Sequence, residues 1–104
     1  MTQIGLLSFD PDALTVRCKG FALMLTAREF DLLEAFAATP RVMRYDDLRD
    51  LTGVQDRNHL GLMVATLREK IEVAWDFTYT IDCEHGLGYQ FRKIEKPEWL
   101  GVGK

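Results

Sequence analysis

Residues 56–73, DRNHLGLMVATLREKIEV, predict one long amphipathic helix. Asp56 suits the N-cap position, because its carboxylate can accept a hydrogen bond from a first-turn N–H and favours the positive end of the helix dipole. The apolar residues recur at steps of four, three and four, which is the spacing of one helical face: Leu60, Val64, Leu67 and Ile71. The other elements are expected to hold this helix in place.

The opposite face of this helix is unusually apolar for a solvated surface. At about 100° per residue, Leu62 and Ala65 face outward, and Gly61 weakens the helix by about 1 kcal/mol relative to Ala. Two interpretations stay open, an ordinary surface with one exposed Leu or a face that docks onto a partner. The remaining outward and flanking residues are Asn58, Thr66, Glu69, His59 and Arg68.

Length and composition indicate one ordinary globular domain. The chain has 104 residues, of which 47% are hydrophobic and 28% charged, enough for a real core but too few for two domains. The sequence has no run of about 20 apolar residues and no signal segment, so a cytoplasmic protein without a membrane partner is expected. The net charge of −3 argues mildly against nucleic-acid binding, which normally needs a basic surface.

The first half of the chain predicts a small antiparallel sheet followed by a core helix. Residues 4–9, 14–18 and 21–25 have strand-like composition and are separated by turn residues. Thr26 and Glu29 then match a capping box, in which each side chain accepts a hydrogen bond from the backbone N–H of the other. The helix that follows has a broad apolar stripe and ends at Thr39-Pro40: Phe30, Leu32, Leu33, Phe36 and Ala37.

The second half predicts two closely joined helices and a hairpin. A brief helix over residues 45–51 ends at Thr52-Gly53, and the long helix begins a few residues later, an arrangement typical of a helix-turn-helix. Residues 78–83 and 89–93 form the hairpin around a glycine-bearing turn. Residues 1–94 are therefore expected to form the domain and residues 95–104 a loose C-terminal tail, from which Trp99 could fold back onto the domain.

Three motifs in this order resemble the winged-helix effector domain of OmpR/PhoB-type response regulators. They are Leu25 to Leu33 (LTAREFDLL), Thr66 to Ile71 (TLREKI) and Gly86 to Tyr89 (GLGY), and the likeness runs over about residues 4–93. It implies an α+β winged helix-turn-helix with an N-terminal antiparallel sheet, three helices and a C-terminal β-hairpin wing. The chain is expected to be an excised effector domain or a single-domain relative within two-component systems.

The resemblance implies sequence-specific binding of double-stranded DNA in bacterial transcription regulation, with the third helix in the major groove and the wing at the minor groove. The implied base contacts come from the third helix: Asn58, His59, Thr66 and Arg68. The implied phosphate contacts are Arg57 and Lys70, the wing contact is His85, and Arg44 is a further phosphate contact, together with Arg41.

Several positions depart from the family pattern. Asn58, Ala65, Thr66 and His85 stand where the family is usually basic, and Asp82 and Glu84 predict an acidic wing that phosphate would repel. An alternative therefore stays open: a winged helix that has lost or weakened DNA binding and engages RNA polymerase, another regulator or a second copy as a homodimer. Its contacts would include Leu62, Met63 and Ala65.

The sequence gives no indication of catalysis. It lacks a nucleophile elbow and a phosphate loop, and Cys83, Glu84 and His85 are strand neighbours whose side chains alternate in direction. Cys18 and Cys83 are too isolated for a zinc site or a disulfide framework, and both are expected to be small buried side chains. No enzyme activity, metal or cofactor is expected.

Overall fold

The computed structural model of the protein describes residues 2–94. The predicted C-terminal tail, residues 95–104, lies outside the described residues. The strands of the first sheet are β1 (Thr2–Ile4), β2 (Leu7–Asp10), β3 (Thr15–Cys18) and β4 (Phe21–Met24). The elements that follow are α1 (Ala27–Ala38), β5 (Met43–Arg44), α2 (Tyr45–Thr52), α3 (Arg57–Ala74), β6 (Tyr79–Glu84) and β7 (Gly88–Lys93).

The first sheet is antiparallel in the order β1-β2-β3-β4. Alternation places one face of β2 and β3 in the core: Leu7, Phe9, Val16 and Cys18 are buried. The expectation of one strand over residues 4–9 is wrong, because the chain turns at Gly5 and Leu6 and folds back as two paired strands. The Leu6 N–H donates to the Tyr79 hydroxyl oxygen at 3.3 Å, so this turn is fastened to the second sheet.

The predicted capping box begins α1. The Glu29 N–H donates to the Thr26 hydroxyl at 3.2 Å, and the Thr26 N–H donates to the Glu29 carboxylate at 3.0 Å. The helix buries the predicted stripe against both sheets and α3, with Ala37 partly buried at its edge: Phe30, Leu32, Leu33 and Phe36. This confirms α1 as the central core helix.

The long helix α3 begins and packs as predicted. The Asn58 N–H donates to the Asp56 carboxylate at 2.9 Å, which makes Asp56 the N-cap. The buried residues are the four that share the predicted face: Leu60, Val64, Leu67 and Ile71. With α2 ending at Gly53, the two helices form the expected helix-turn-helix.

The second sheet has the order β5-β7-β6, all antiparallel. The β6 and β7 strands form the predicted hairpin, and the two-residue strand β5 pairs with β7 at Met43–Tyr89 and Arg44–Gly88. A Cβ at Gly88 would overlap the Met43 carbonyl oxygen and lie 2.9 Å from the Arg44 Cα. Glycine is therefore required where β5 pairs with the wing, next to the hairpin turn.

Aromatic residues of α1 and β7 contribute to the core. Phe30 and Phe36 are buried, and Tyr89 and Phe91 pack against the core while partly exposed.

The prediction for the two cysteines is half wrong. Cys18 is buried in the first sheet, whereas Cys83 lies on the solvent side of the wing, where strand alternation turns it outward.

Candidate nucleic-acid interface

The outermost line of α3 is exposed along the length of the helix, as predicted. Asn58, Leu62, Ala65 and Glu69 all lie on the solvent side, with Thr66 beside them. Leu62 is 68% exposed, so a large apolar side chain lies at the centre of this line. The line has two flanks, one toward the wing and one toward α1.

Two of the predicted contact residues, Arg57 and Arg68, lie on the wing flank. Eleven residues, or about three turns, separate them, and Gly61 between them leaves room for Tyr89, whose hydroxyl would lie 3.4 Å from a Cβ at Gly61. Burial and the neighbouring Tyr45 raise the pKa of Tyr89, and the Arg68 guanidinium close by opposes this shift. Tyr89 therefore joins the wing to the basic flank of α3.

Arg57 is held by an aromatic ring at the start of α2. Its Cζ lies 3.8 Å from the centroid of the Tyr45 ring, the geometry of a cation–π interaction. Tyr45 in turn meets Tyr89 edge to face, with 5.9 Å between the ring centroids. This contact restricts the Arg57 side chain before any ligand is present.

Basic side chains from three elements meet beside the tip of the wing. A polar depression of about 290 Å³ is lined by Arg44, Arg49, Arg57 and the wing residues Gly86 and Leu87. Arg49 is paired with Asp46 at 3.1 Å. Within residues 2–94, Arg44 and Arg57 take part in no ion pair, so both charges are available to an anion.

His59 and Thr66 lie on the other flank of α3. With Leu62 and Met63 they line a depression of about 360 Å³ whose far wall is the first turn of α1. Arg28 and Thr26 form part of that wall. The structure therefore divides the predicted base-contact residues between two flanks, with Asn58 on the line between them.

Lys70 is engaged inside the domain. Its Nζ donates to both carboxylate oxygens of Glu29 at 2.8 Å, joining α3 to the first turn of α1. Burial alone would raise the pKa of the Glu29 carboxyl, but hydrogen bonds from Lys70 and the Thr26 N–H outweigh it and lower the pKa. The predicted phosphate contact from Lys70 thus competes with an existing ion pair.

Arg41, the companion expected for Arg44, is also occupied. Its guanidinium donates to the Asp47 carboxylate at 3.2 Å and to the Val42 carbonyl oxygen at 2.9 Å. The same carboxylate accepts the Arg44 backbone N–H at 3.0 Å. Asp47 therefore caps α2. The Arg44 side chain has no hydrogen-bond acceptor, so it cannot cap the helix itself, and it is left exposed.

The wing is less acidic than its turn sequence predicted. The Asp82 carboxylate pairs with the Arg92 guanidinium on the neighbouring strand, and this contact raises the pKa of Arg92. Lys93 adds a second positive charge to β7. His85 is exposed in the turn directly before Gly86. Within residues 2–94 Glu84 takes part in no ion pair, so the expected repulsion of phosphate is offset at Asp82 only.

Two basic residues at the interface, Arg28 and Arg49, were missed by the sequence analysis. Arg28 follows the Thr26 cap of α1 and reaches the flank that carries His59. Arg49 lies in the last turn of α2 and donates through Nε to the Gln55 carbonyl oxygen at 3.0 Å. Their positions in the sequence could have identified them. Arg28 is in the first turn of α1 and Arg49 in the last turn of α2, and both turns border the recognition helix in a helix-turn-helix.

Within residues 2–94, no helix is long and apolar enough to cross a bilayer. In the same span, no group of three or more His, Cys, Asp or Glu side chains is placed to hold a metal ion.

No protein-family profile and no curated protein matches the chain in sequence. Solved structures do match. The DNA-binding domain of the response regulator AdeR, in complex with an intercistronic region, is 21% identical with a TM-score of 0.75, covering 89% of this chain and 100% of that one. The Escherichia coli CadC DNA-binding domain is 19% identical with a TM-score of 0.72, covering 88% and 91%.

The DNA-binding domain of Klebsiella pneumoniae RstA, in complex with the RstA box, is 26% identical with a TM-score of 0.68. It covers 86% of this chain and 94% of that one. These structures share the first sheet, the three helices and the C-terminal hairpin. The chain therefore has the winged helix-turn-helix fold of the OmpR/PhoB-type response-regulator DNA-binding domains, in a divergent form.

Proposed function

We propose that this domain binds duplex DNA sequence-specifically in bacterial transcription regulation, with α3 in the major groove and the β6–β7 wing at the neighbouring minor groove. The observation that carries the proposal is the convergence of Arg44 and Arg57 beside the wing tip at Gly86 and Leu87. Structures of AdeR and RstA with this fold hold DNA, which supports the same mode of binding here.

Side chains on the exposed face of α3 can supply the base contacts. Arg68 can donate to guanine, and the amide of Asn58 can pair with adenine through both its ends. His59 and Thr66 add polar groups on the α1 flank, and Leu62 can contact a thymine methyl group. Because these residues occupy both flanks and the outer line, α3 would contact bases on both sides as it lies in the groove.

Phosphate contacts are assigned to residues outside the middle of α3. Arg57 and Arg44 lie on the wing side, where His85 is exposed in the turn, and Arg28 lies on the α1 side. Arg44 and Arg28 add positive charge from neighbouring elements to that of Arg57 on α3, so basic groups gather on this side of a chain whose net charge is −3. Lys70 is not assigned a phosphate, because leaving Glu29 would break an ion pair between two helices.

The test is fluorescence anisotropy against mixed genomic duplexes at several salt concentrations. Replacing Arg57 by Met should lower affinity and reduce the slope of log K against log salt by about 1. Lys70→Met is the matched control, since it removes a cation from the same helix and should leave the slope unchanged. Arg68→Ala should abolish most sequence-specific binding.

Two results would contradict this proposal. One is no binding at high micromolar protein in low salt, with circular dichroism showing a folded domain. The other is an unchanged salt slope in Arg57→Met, which would place α3 or its first turn away from the phosphates.

A second candidate function, docking of another protein, is favoured by the exposed Leu62 on the outward face of α3. This side chain is 68% exposed at the centre of the face, beside the partly buried Met63. RNA polymerase, another regulator or a second copy could bind there. Leu62→Ser separates the two candidates: it should spare the salt-dependent part of DNA binding, whereas it would abolish capture of a protein partner.

A further inference from the structure

A second apolar surface lies where the last turn of α3 meets β4. Phe21 and Val73 are 65% and 74% exposed and both line a depression of about 360 Å³. Neighbouring large apolar side chains in water commonly mark a contact surface. The lining includes Lys19, Phe21, Val73, Trp75, Asp76 and Thr78, and this set is called the α3–β4 depression.

A hydrogen bond between Trp75 and β4 holds the base of the α3–β4 depression in place. The Trp75 indole N–H donates to the Phe21 carbonyl oxygen at 3.1 Å, and Trp75 itself is buried. The exposed side chains of Phe21 and Val73 therefore project from backbone that this hydrogen bond holds in place. Substituting either side chain leaves this hydrogen bond in place, because it uses the Phe21 backbone.

The described chain leaves the second sheet at the rim of this depression. The Ile94 N–H donates to the Thr78 carbonyl oxygen at 2.9 Å, and Thr78 lines the depression. The residues that follow, 95–104, are EKPEWLGVGK. Trp99 is five residues beyond Ile94, which corresponds to at most about 17 Å of extended chain.

The composition of residues 95–104 matches the α3–β4 depression. Trp99, Leu100 and Val102 are apolar, and an aromatic side chain buries a large area in one contact. Glu98 and Lys96 offer charges opposite to those of Lys19 and Asp76 on the rim. A tethered segment also has an effective concentration in the millimolar range, which favours it over a second copy at micromolar protein.

We propose that residues 95–104 dock onto the α3–β4 depression, with Trp99 and Leu100 covering Phe21 and Val73. The docked segment would fasten the end of the wing hairpin to the last turn of α3. This inference is independent of DNA binding, because the depression lies at the opposite end of α3 from Arg57.

The test follows Trp99 by acrylamide quenching in the 104-residue chain, taken as the difference between the unaltered protein and Trp99→Phe. Trp99 should be quenched several-fold less than in a free peptide of residues 94–104. Val73→Asp and, separately, Phe21→Ser should raise quenching to the level of the peptide. Leu62→Asp is the matched control, since Leu62 is similarly exposed on α3, and it should change nothing.

Three outcomes would overturn the proposal. Trp99 could be quenched as strongly in the unaltered chain as in the peptide. It could be protected but insensitive to both Val73→Asp and Phe21→Ser. Protection that disappears on dilution would assign the depression to a second copy of the chain. Circular dichroism of each variant establishes that a rise in quenching does not come from unfolding.

Discussion

The Arg57 guanidinium stands over the Tyr45 ring, with 3.8 Å between Cζ and the ring centroid. A cation–π contact near the surface contributes about 0.5–1 kcal/mol, and here it restrains an arginine assigned to a phosphate. Tyr45→Leu should therefore weaken DNA binding by about two- to fivefold, because Arg57 must then be ordered on binding. Anisotropy titrations at one fixed salt concentration measure this change.

Tyr45→Phe is the control for that prediction. It keeps the aromatic face beneath Arg57 and should retain nearly full affinity. An equal loss in Tyr45→Phe and Tyr45→Leu would show that the hydroxyl, not the ring face, supports binding.

The close contact between Gly88 and β5 predicts a strong effect on stability. Gly88→Ala forces its new Cβ into the Met43 carbonyl oxygen, so β5 and β7 must separate, and the domain should lose about 2 kcal/mol or more. Urea unfolding monitored by circular dichroism measures this loss. Gly61→Ala is the matched control: its Cβ would make an ordinary contact with Tyr89, so stability should rise by up to about 1 kcal/mol.

The ion pair between Glu29 and Lys70 predicts a loss of stability in acid. The pKa of Glu29 is lowered in the folded protein, so its contribution is fully present above its ordinary value of 4.5 and is lost as pH falls through the lower folded pKa. Glu29→Gln should flatten the stability profile below about pH 4.5. Urea midpoints from pH 7 to pH 3 test this, and an unchanged acid slope would remove Glu29 from the explanation.

The two cysteines should differ sharply toward thiol reagents. Burial raises the pKa of the Cys18 thiol, with the nearby Lys19 and Lys93 opposing the shift, and the side chain is 1% exposed. Cys83 is exposed on the wing. In native buffer, Ellman's reagent should modify one thiol quickly and the second only after unfolding. Cys83→Ser should remove the fast phase, whereas its survival would show that Cys18 becomes accessible.

Elements governed by local pattern were predictable from the sequence. The buried face of α3 follows from the spacing of Leu60, Val64, Leu67 and Ile71, and the start of α1 follows from Thr26 and Glu29 three residues apart. Both depend on interactions within one or two helical turns, so the chain itself specifies them. The division of residues 4–9 was missed because a tertiary contact, the bond from Leu6 to Tyr79, fixes that turn.

The electrostatics of the candidate interface could not be predicted in the same way. Lys70 pairs with a carboxylate 41 residues away in sequence, and Asp82 pairs diagonally across the hairpin with Arg92. Lys70 was therefore expected to contact phosphate and Asp82 to make the wing acidic, because neither ion pair can be seen in the sequence. The roles of Arg28 and Arg44 likewise depend on how α1 and β5 pack beside α3, which no local pattern specifies.

The short strand β5 has a consequence for the thermodynamics of recognition. Arg44 pairs through its backbone with Gly88, next to the turn of the wing, and also precedes the first residue of α2. The helix-turn-helix and the hairpin are therefore joined by main-chain hydrogen bonds before a duplex arrives. The helix-turn-helix and the wing would therefore not need to be ordered relative to each other when DNA binds. The entropy lost on association should be small for a domain that contacts DNA through two separate elements.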